Sequence, residues 1–181
     1  MSRKNNAFAQ AIVGKKYPGL TSMVMCFEDA CREEDVPAAE SNAIHVLDVL
    51  CEKEKAGELK YEDVPLIFFV RSAEQFRHFS AMLEPRHLRF VTGFNFPKFN
   101  SFNAGAYMDH LVALNGKFGE ILYGMPIIED ARVAYKESRL DELLAIKKAM
   151  DGHRELILNV RVGGTDFSSR FGVRRGINYT I

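Results

Sequence analysis

Five apolar runs recur along the chain, separated by segments with helical spacing. They are Thr21–Phe27, Pro65–Val70, Leu88–Phe96, Ile121–Ile128 and Leu156–Val162. The runs are continuous rather than alternating, as in strands covered on both faces. A helix is predicted from about Pro37, a favourable first-turn residue, to about Lys55, with Ile44, Leu47, Val49 and Leu50 at roughly helical intervals. Gly57 would stop it. Ser72 with Gln75 reads as a capping box at the head of the next helix. Asn103–Leu114 is helical, with Asn115-Gly116 as its end. A helix-like segment covers roughly 131–150, with Glu142–Met150 as its core. Strand and helix thus alternate about five times, with connections long enough for right-handed crossovers. The pattern predicts parallel strands near 21–27, 65–71, 88–96, 121–128 and 155–162, with helices on the outer face. That is an α/β fold, either doubly wound or a barrel. No linker or internal repeat interrupts it, so residues 1–181 read as a single domain.

Composition narrows the function classes. The chain is 47% hydrophobic and 27% charged, as soluble globular proteins are. Its net charge is zero, so no overall field draws it to nucleic acid or to a membrane, and neither is expected as a partner. No run approaches a membrane span, and the amino terminus lacks the apolar stretch of a signal peptide. A cytoplasmic protein is expected. Cys26, Cys31 and Cys51 are odd in number and lack C-x-x-C spacing, which predicts buried free thiols. The five histidines show no ligand-like pairing with them, so zinc is not expected. Met23, Met25, Met82 and Met108 read as core fillers. Gly14-Lys15-Lys16 lacks the rest of a Walker A loop, and Gly163-Gly164 does not form a dinucleotide fingerprint. Five arginines between 154 and 181 form either a solvated basic surface or a phosphate contact.

Each apolar run ends in a polar residue of catalytic type: Glu28-Asp29, Arg71, Lys98, Glu129 and Asp166. If the last two runs are neighbouring parallel strands, Glu129 and Asp166 project from one rim. Two carboxylates there make an oxygen site suited to Mg²⁺, on the rim where barrels and open α/β sheets place active sites. Taken singly, each residue also has a structural reading. Glu129-Asp130 could cap the helix at 131, and Asp166 a turn at 167–169.

The motifs Cys26-Phe-Glu-Asp-Ala30, Phe69-Val-Arg71, Phe96-Pro-Lys98, Met125-Pro-Ile-Ile-Glu129 and Gly163-Gly-Thr-Asp-Phe167 follow one another in a familiar order. They resemble the citrate lyase beta-subunit-like enzymes of the HpcH/HpaI aldolase superfamily. With Asn159–Asp166 and Phe171-Gly-Val-Arg-Arg175, the spelling is most similar to the bacterial branch of carbon–carbon bond lyases of the TIM-barrel fold. The resemblance implies a (β/α)8 TIM barrel, of which this chain would supply about five strand–helix units as a truncated or fragmentary domain. The family's first strand would precede Met1 and its last two would follow Ile181. Two departures bear on the substrate: Ser72-Ala-Glu replaces an Arg-Val-Asn pattern, and Ile128-Glu-Asp replaces a Glu-Thr/Ser pattern.

The resemblance also implies a chemistry. Glu129 and Asp166 match the residues that hold Mg²⁺, and Arg71 matches the arginine that grips the substrate's carboxylate or carbonyl. Gly164 and Thr165 fall in the substrate-binding motif, Glu28 and Asp29 lie around the metal's water shell, and Lys98 matches the Pro-Lys strand end. The expected activity is a Mg²⁺-dependent lyase or aldolase step on a small carboxylate or acyl thioester, a coenzyme A thioester among them, through a metal-stabilised enolate. The general base is open among a metal-bound water, a partner's residue and Lys98 if burial lowers its pKa. Open sheet edges imply a homo-oligomer. The rival readings are a non-catalytic or partner-completed barrel subunit, and a phosphate- or nucleotide-binding protein of a stress-response gene cluster.

Overall fold

A computed structural model of the chain describes residues 7–29, 31–70 and 72–173. Five strands, β1 (Ser22–Cys26), β2 (Leu66–Val70), β3 (Val91–Phe96), β4 (Tyr123–Ile128) and β5 (Arg161–Val162), pair in sequence order, all parallel. They form a curled half-barrel alternating with helices. The helices are α1 (Ala7–Val13), α2 (Val36–Lys55), α3 (Ala73–Ala81), α4 (Pro85–Leu88), α5 (Ala104–Phe118), α6 (Ala131–Ala134), α7 (Lys136–Asp151) and α8 (Gly164–Arg170). None of them is long and apolar enough to cross a membrane.

The core lies between the sheet and the outer helices, and it is built from phenylalanine. Phe69 and Phe94 of the sheet meet Phe79 and Phe76 of α3 at ring-centroid distances of 4.7 and 4.3 Å. Phe96 stacks on Tyr107 of α5 at 4.5 Å. Because side chains alternate along a strand, Phe94 and Phe96 on the outer face put Asn95 on the inner one. Two glycines let the sheet close up. A Cβ on Gly93 would lie 2.0 Å from the Tyr123 carbonyl oxygen, and one on Gly124 would lie 2.5 Å from the Phe96 ring.

Several boundaries differ from the sequence expectation, each for a local reason. Leu88 ends the short helix α4 and does not start the third strand, which begins at Val91; the Glu84 N–H, donating to His87 Nδ1 at 3.1 Å, closes that helical turn. α5 runs through Asn115-Gly116 and closes at Gly119, whose φ is +69°. Asn115 instead ties the helix to the entry of β4, exchanging two 3.1 Å bonds with Leu122. The 131–150 helix breaks at Tyr135. Arg139 there takes the freed carbonyls of Val133 and Ala134 at 2.8 and 2.6 Å. The fifth run gives only a two-residue strand plus a bridge from Ile157 to Gly124. Among the described residues it has no neighbour on its outer side, and Val160 and Val162 are exposed. Of the three free cysteines only Cys51 is buried, because β1 at the other edge leaves Cys26 exposed. Met108 is buried, whereas Met23 and Met25 only lean on the core.

Asn95 is the anomaly of the inner face. It pairs in register between Val70 and Met125, is 0% exposed, and neither atom of its amide has a hydrogen-bond partner among the described residues. An unsatisfied buried polar group costs about 1–3 kcal/mol. Asn95→Leu, similar in volume and free of that cost, is therefore expected to raise the urea midpoint by a comparable stability increment. A lower midpoint would show that the amide is satisfied.

Candidate active site on the carboxyl-terminal rim

The five strands run the same way, so their carboxyl-terminal ends share one rim. Lys98 sits there, just past β3, in a left-handed backbone conformation with φ +51°. Such strain costs a non-glycine residue about 1–3 kcal/mol and persists only where surroundings enforce it. Here they do. The Lys98 N–H donates to Glu129 Oε1 at 2.8 Å. Its carbonyl accepts from Asn100 Nδ2 at 3.1 Å and Asn103 Nδ2 at 2.9 Å. Its ammonium pairs with Glu28, with Asp29 at 3.3 Å and with Asp166 at 3.7 Å.

Lys98, at the end of β3, thereby gathers residues from three other strand ends. Glu28 and Asp29 follow β1, Glu129 follows β4, and Asp166 stands in the first turn of α8 after β5. Glu129 reaches the cluster because residue 163 is glycine. A Cβ there would lie 2.0 Å from Glu129 Oε2, and the Gly163 N–H donates to the Ile128 carbonyl at 3.0 Å. Asp130 takes the structural part: it caps α6 by accepting from the Arg132 N–H at 2.9 Å and also binds the Arg132 side chain and Asn100. Asp166 lies inside α8 and Gly163 holds the cap position.

Among the described residues charge is unevenly balanced on this rim, with four carboxyls around one ammonium. Burial raises the Glu129 pKa, and the charges of Asp166 and Glu28 raise it further against the bond from the Lys98 N–H. Burial alone would lower the Lys98 pKa, but Glu28 and Asp29 outweigh it and hold the amine above its ordinary value. The condition on which Lys98 could act as a base, a pKa depressed by burial, is not met. Burial raises the Asp130 pKa less than Arg132 and Asn100 lower it, so its carboxyl titrates below the ordinary range.

Arg71 lies outside the described residues, directly after the last residue of β2, as do Ala30 and the tail from 174. Gly164 and Thr165 open α8 beside Gly163. Sequence reading missed Gly163 as the contact glycine, the orphaned Asn95, and the Asn100 and Asn103 side chains that fix the Lys98 carbonyl. The spacing Asn100-Ser-Phe-Asn103 after a Pro-Lys strand end was the available signal, since asparagine side chains at turns commonly bond nearby backbone.

The rim fits a hard cation in one respect. Its donors are all carboxylate oxygens, and no described residue donates a hydrogen bond to Glu129 Oε2. Among the described residues no group of three or more histidine, cysteine or acidic side chains is arranged as a finished ligand set. Two carboxylates completed by water and substrate oxygens are what Mg²⁺ commonly accepts. A family model described as carbon–carbon bond lyases of the TIM-barrel fold matches residues 1–181, and the chain belongs to that family. Comparison with curated proteins gave no match.

The raised pKa of Glu129 has a sign. A carboxyl that binds its proton more tightly when folded favours the fold at low pH, and that contribution is lost as pH rises through the folded value. Glu129→Gln, compared with wild type in EDTA, is therefore expected to raise the melting temperature at pH 7, with the difference shrinking below the ordinary glutamate value of 4.5. A variant less stable at pH 7 would mean that the carboxylate is favourably paired.

Proposed function

We propose that this carbon–carbon bond lyase family member is a Mg²⁺-dependent lyase of the citrate lyase beta-subunit-like, HpcH/HpaI aldolase type, acting on a small carboxylate or acyl thioester. The observation that carries the reading is the convergence of Glu28, Asp29, Glu129 and Asp166 around Lys98 at the carboxyl-terminal rim of the half-barrel. Glu129 and Asp166 are the residues that would hold the ion, with Glu28 and Asp29 behind them. When bound, Mg²⁺ supplies Lewis-acid polarisation of the substrate carbonyl.

The chain's own groups supply the rest. Cleavage beside a carbonyl leaves negative charge on oxygen, and that charge needs fixed positive partners. Lys98 is held as an ammonium by Glu28 and Asp29, so it suits stabilising that charge and not taking the substrate's hydroxyl proton. The proton acceptor is then a rim carboxylate or a water. Arg71, next in the chain after β2, is assigned the substrate carboxylate, for which a guanidinium gives a two-point fork. Gly164 and Thr165, beside Gly163, are assigned to the substrate's far side. Asn95 lies on the inner face beneath the rim.

A second reading has its own observation. Val24 on β1 and Val162 on β5, the two end strands of the order, are exposed. Such edges favour a barrel subunit that works only when a second copy covers them.

The test is turnover of short 3-hydroxyacyl thioesters with and without Mg²⁺. Glu129→Gln is expected to lower Mg²⁺-dependent turnover by about 100-fold or more. Lys98→Met should split the two functions: it removes a cation that competes for the carboxylates, so Mg²⁺ binds more tightly, while turnover falls about 100-fold. Turnover unaffected by either change would reject the assignment.

A further inference from the structure

A cavity of about 170 Å³ lies between α3 and α5, outside the rim. Both helices lead away from the rim ends of their strands, and Ser80 and Lys117 stand in their last turns. Arg77, Ser80, His110 and Lys117 line the cavity beside apolar residues, and no described carboxylate does. Arg77 and Lys117 are exposed, so a solute reaches them from solvent. Among the described residues neither cation has an acidic partner, and Lys117 stands over the Phe118 ring, 4.6 Å from its centroid.

His110 is fixed in this wall. Its ring packs edge-on against Phe76 with 4.6 Å between centroids, and its Nε2 lies 2.7 Å from Ser80 Oγ. The buried Ser80 hydroxyl has one proton and donates it to the Arg77 carbonyl at 3.2 Å. Nε2 must then carry a hydrogen and donate it to Ser80, which leaves Nδ1 as the atom that can take a second proton. The charges that bear on His110 are Arg77 from α3 and Lys117 from its own helix, both positive. Together with burial they hold its pKa below the ordinary value, so the ring is neutral near neutral pH.

An anion placed among these groups reverses the balance, because it offsets both cations and favours the imidazolium. Two standing cations, and a third that forms on binding, match a doubly charged oxyanion better than a single carboxylate. Phosphate groups carry close to two negative charges near neutral pH, and an arginine fork suits their oxygens. We propose that the cavity between α3 and α5 binds a phosphate group, free or as a monoester, and that His110 takes up a proton as it binds. The site is separate from the rim and does not depend on the lyase reading.

The test uses the whole chain with its histidines labelled with nitrogen-15, followed by NMR. Inorganic phosphate should shift the His110 ring resonances saturably, where sodium chloride at equal ionic strength does not, and should raise the His110 pKa by about one or more. By reciprocity the anion then binds the protonated protein about tenfold more tightly. Sulfate, which stays a dianion throughout, isolates that coupling: its Kd by calorimetry should rise about tenfold between about pH 5 and about pH 8. His110→Gln keeps an N–H for Ser80 and cannot titrate, so its sulfate Kd should not vary with pH. Arg77→Met and Lys117→Met should each weaken phosphate binding about tenfold. Methyl phosphate that binds at least as tightly as inorganic phosphate identifies an ester as the ligand, and weaker binding identifies the free ion. A His110 pKa unmoved by phosphate, a wild-type sulfate Kd that does not change with pH, or phosphate binding unaffected by Arg77→Met would overturn the site.

Discussion

One lysine in a left-handed turn holds the rim of this half-barrel together. Through its N–H, Lys98 fixes a carboxylate oxygen of Glu129, and through its ammonium it draws in Glu28, Asp29 and Asp166. Four carboxyls brought from three strand ends would repel one another without a central cation. With it they converge and stay short of neutral. That residual negative charge supports the proposed seat of a further cation, and Gly163, where a Cβ would lie 2.0 Å from Glu129 Oε2, lets that carboxyl reach the rim. The backbone strain at Lys98 is offset by the bonds its carbonyl accepts from Asn100 and Asn103.

The two faces of the sheet divide the labour. The outer face is dry and aromatic, with Phe69, Phe76, Phe79, Phe94 and Phe96 interlocked and fully buried. Such packing makes the strand ends a stiff base for the rim. The inner face keeps an unsatisfied asparagine and, toward β1, exposed apolar residues. Stability is concentrated on the outside, and polar groups are left unspent on the side where a substrate would approach.

The middle strands were legible because burial on both faces writes a continuous apolar run, whereas β1 and β5 carry apolar runs that are exposed in part. Helix ends were less legible. Asn115-Gly116 has the composition of a stop, but Asn115 spends its amide on Leu122, a partner seven residues on. The fifth strand is shorter than its apolar run because, among the described residues, it has no neighbour on one side, and apolar content alone does not make a ladder. At the site, Glu28, Asp29, Lys98, Glu129 and Asp166 could be found from their shared position at strand ends. What they do to one another could not. Lys98 looked able to lose its proton through burial, whereas its two acidic partners, distant in sequence, decide the opposite.

The seat of the divalent cation is the central claim, and a crystal grown with Mn²⁺ in place of Mg²⁺ tests it most directly through the metal's anomalous scattering. One strong peak is predicted with carboxyl oxygens of both Glu129 and Asp166 at about 2.0–2.2 Å, near the Mg²⁺ distance, and Lys98 still paired with Glu28. No peak at the rim, or a metal bound elsewhere with Lys98 seated among all four carboxyls, would contradict it.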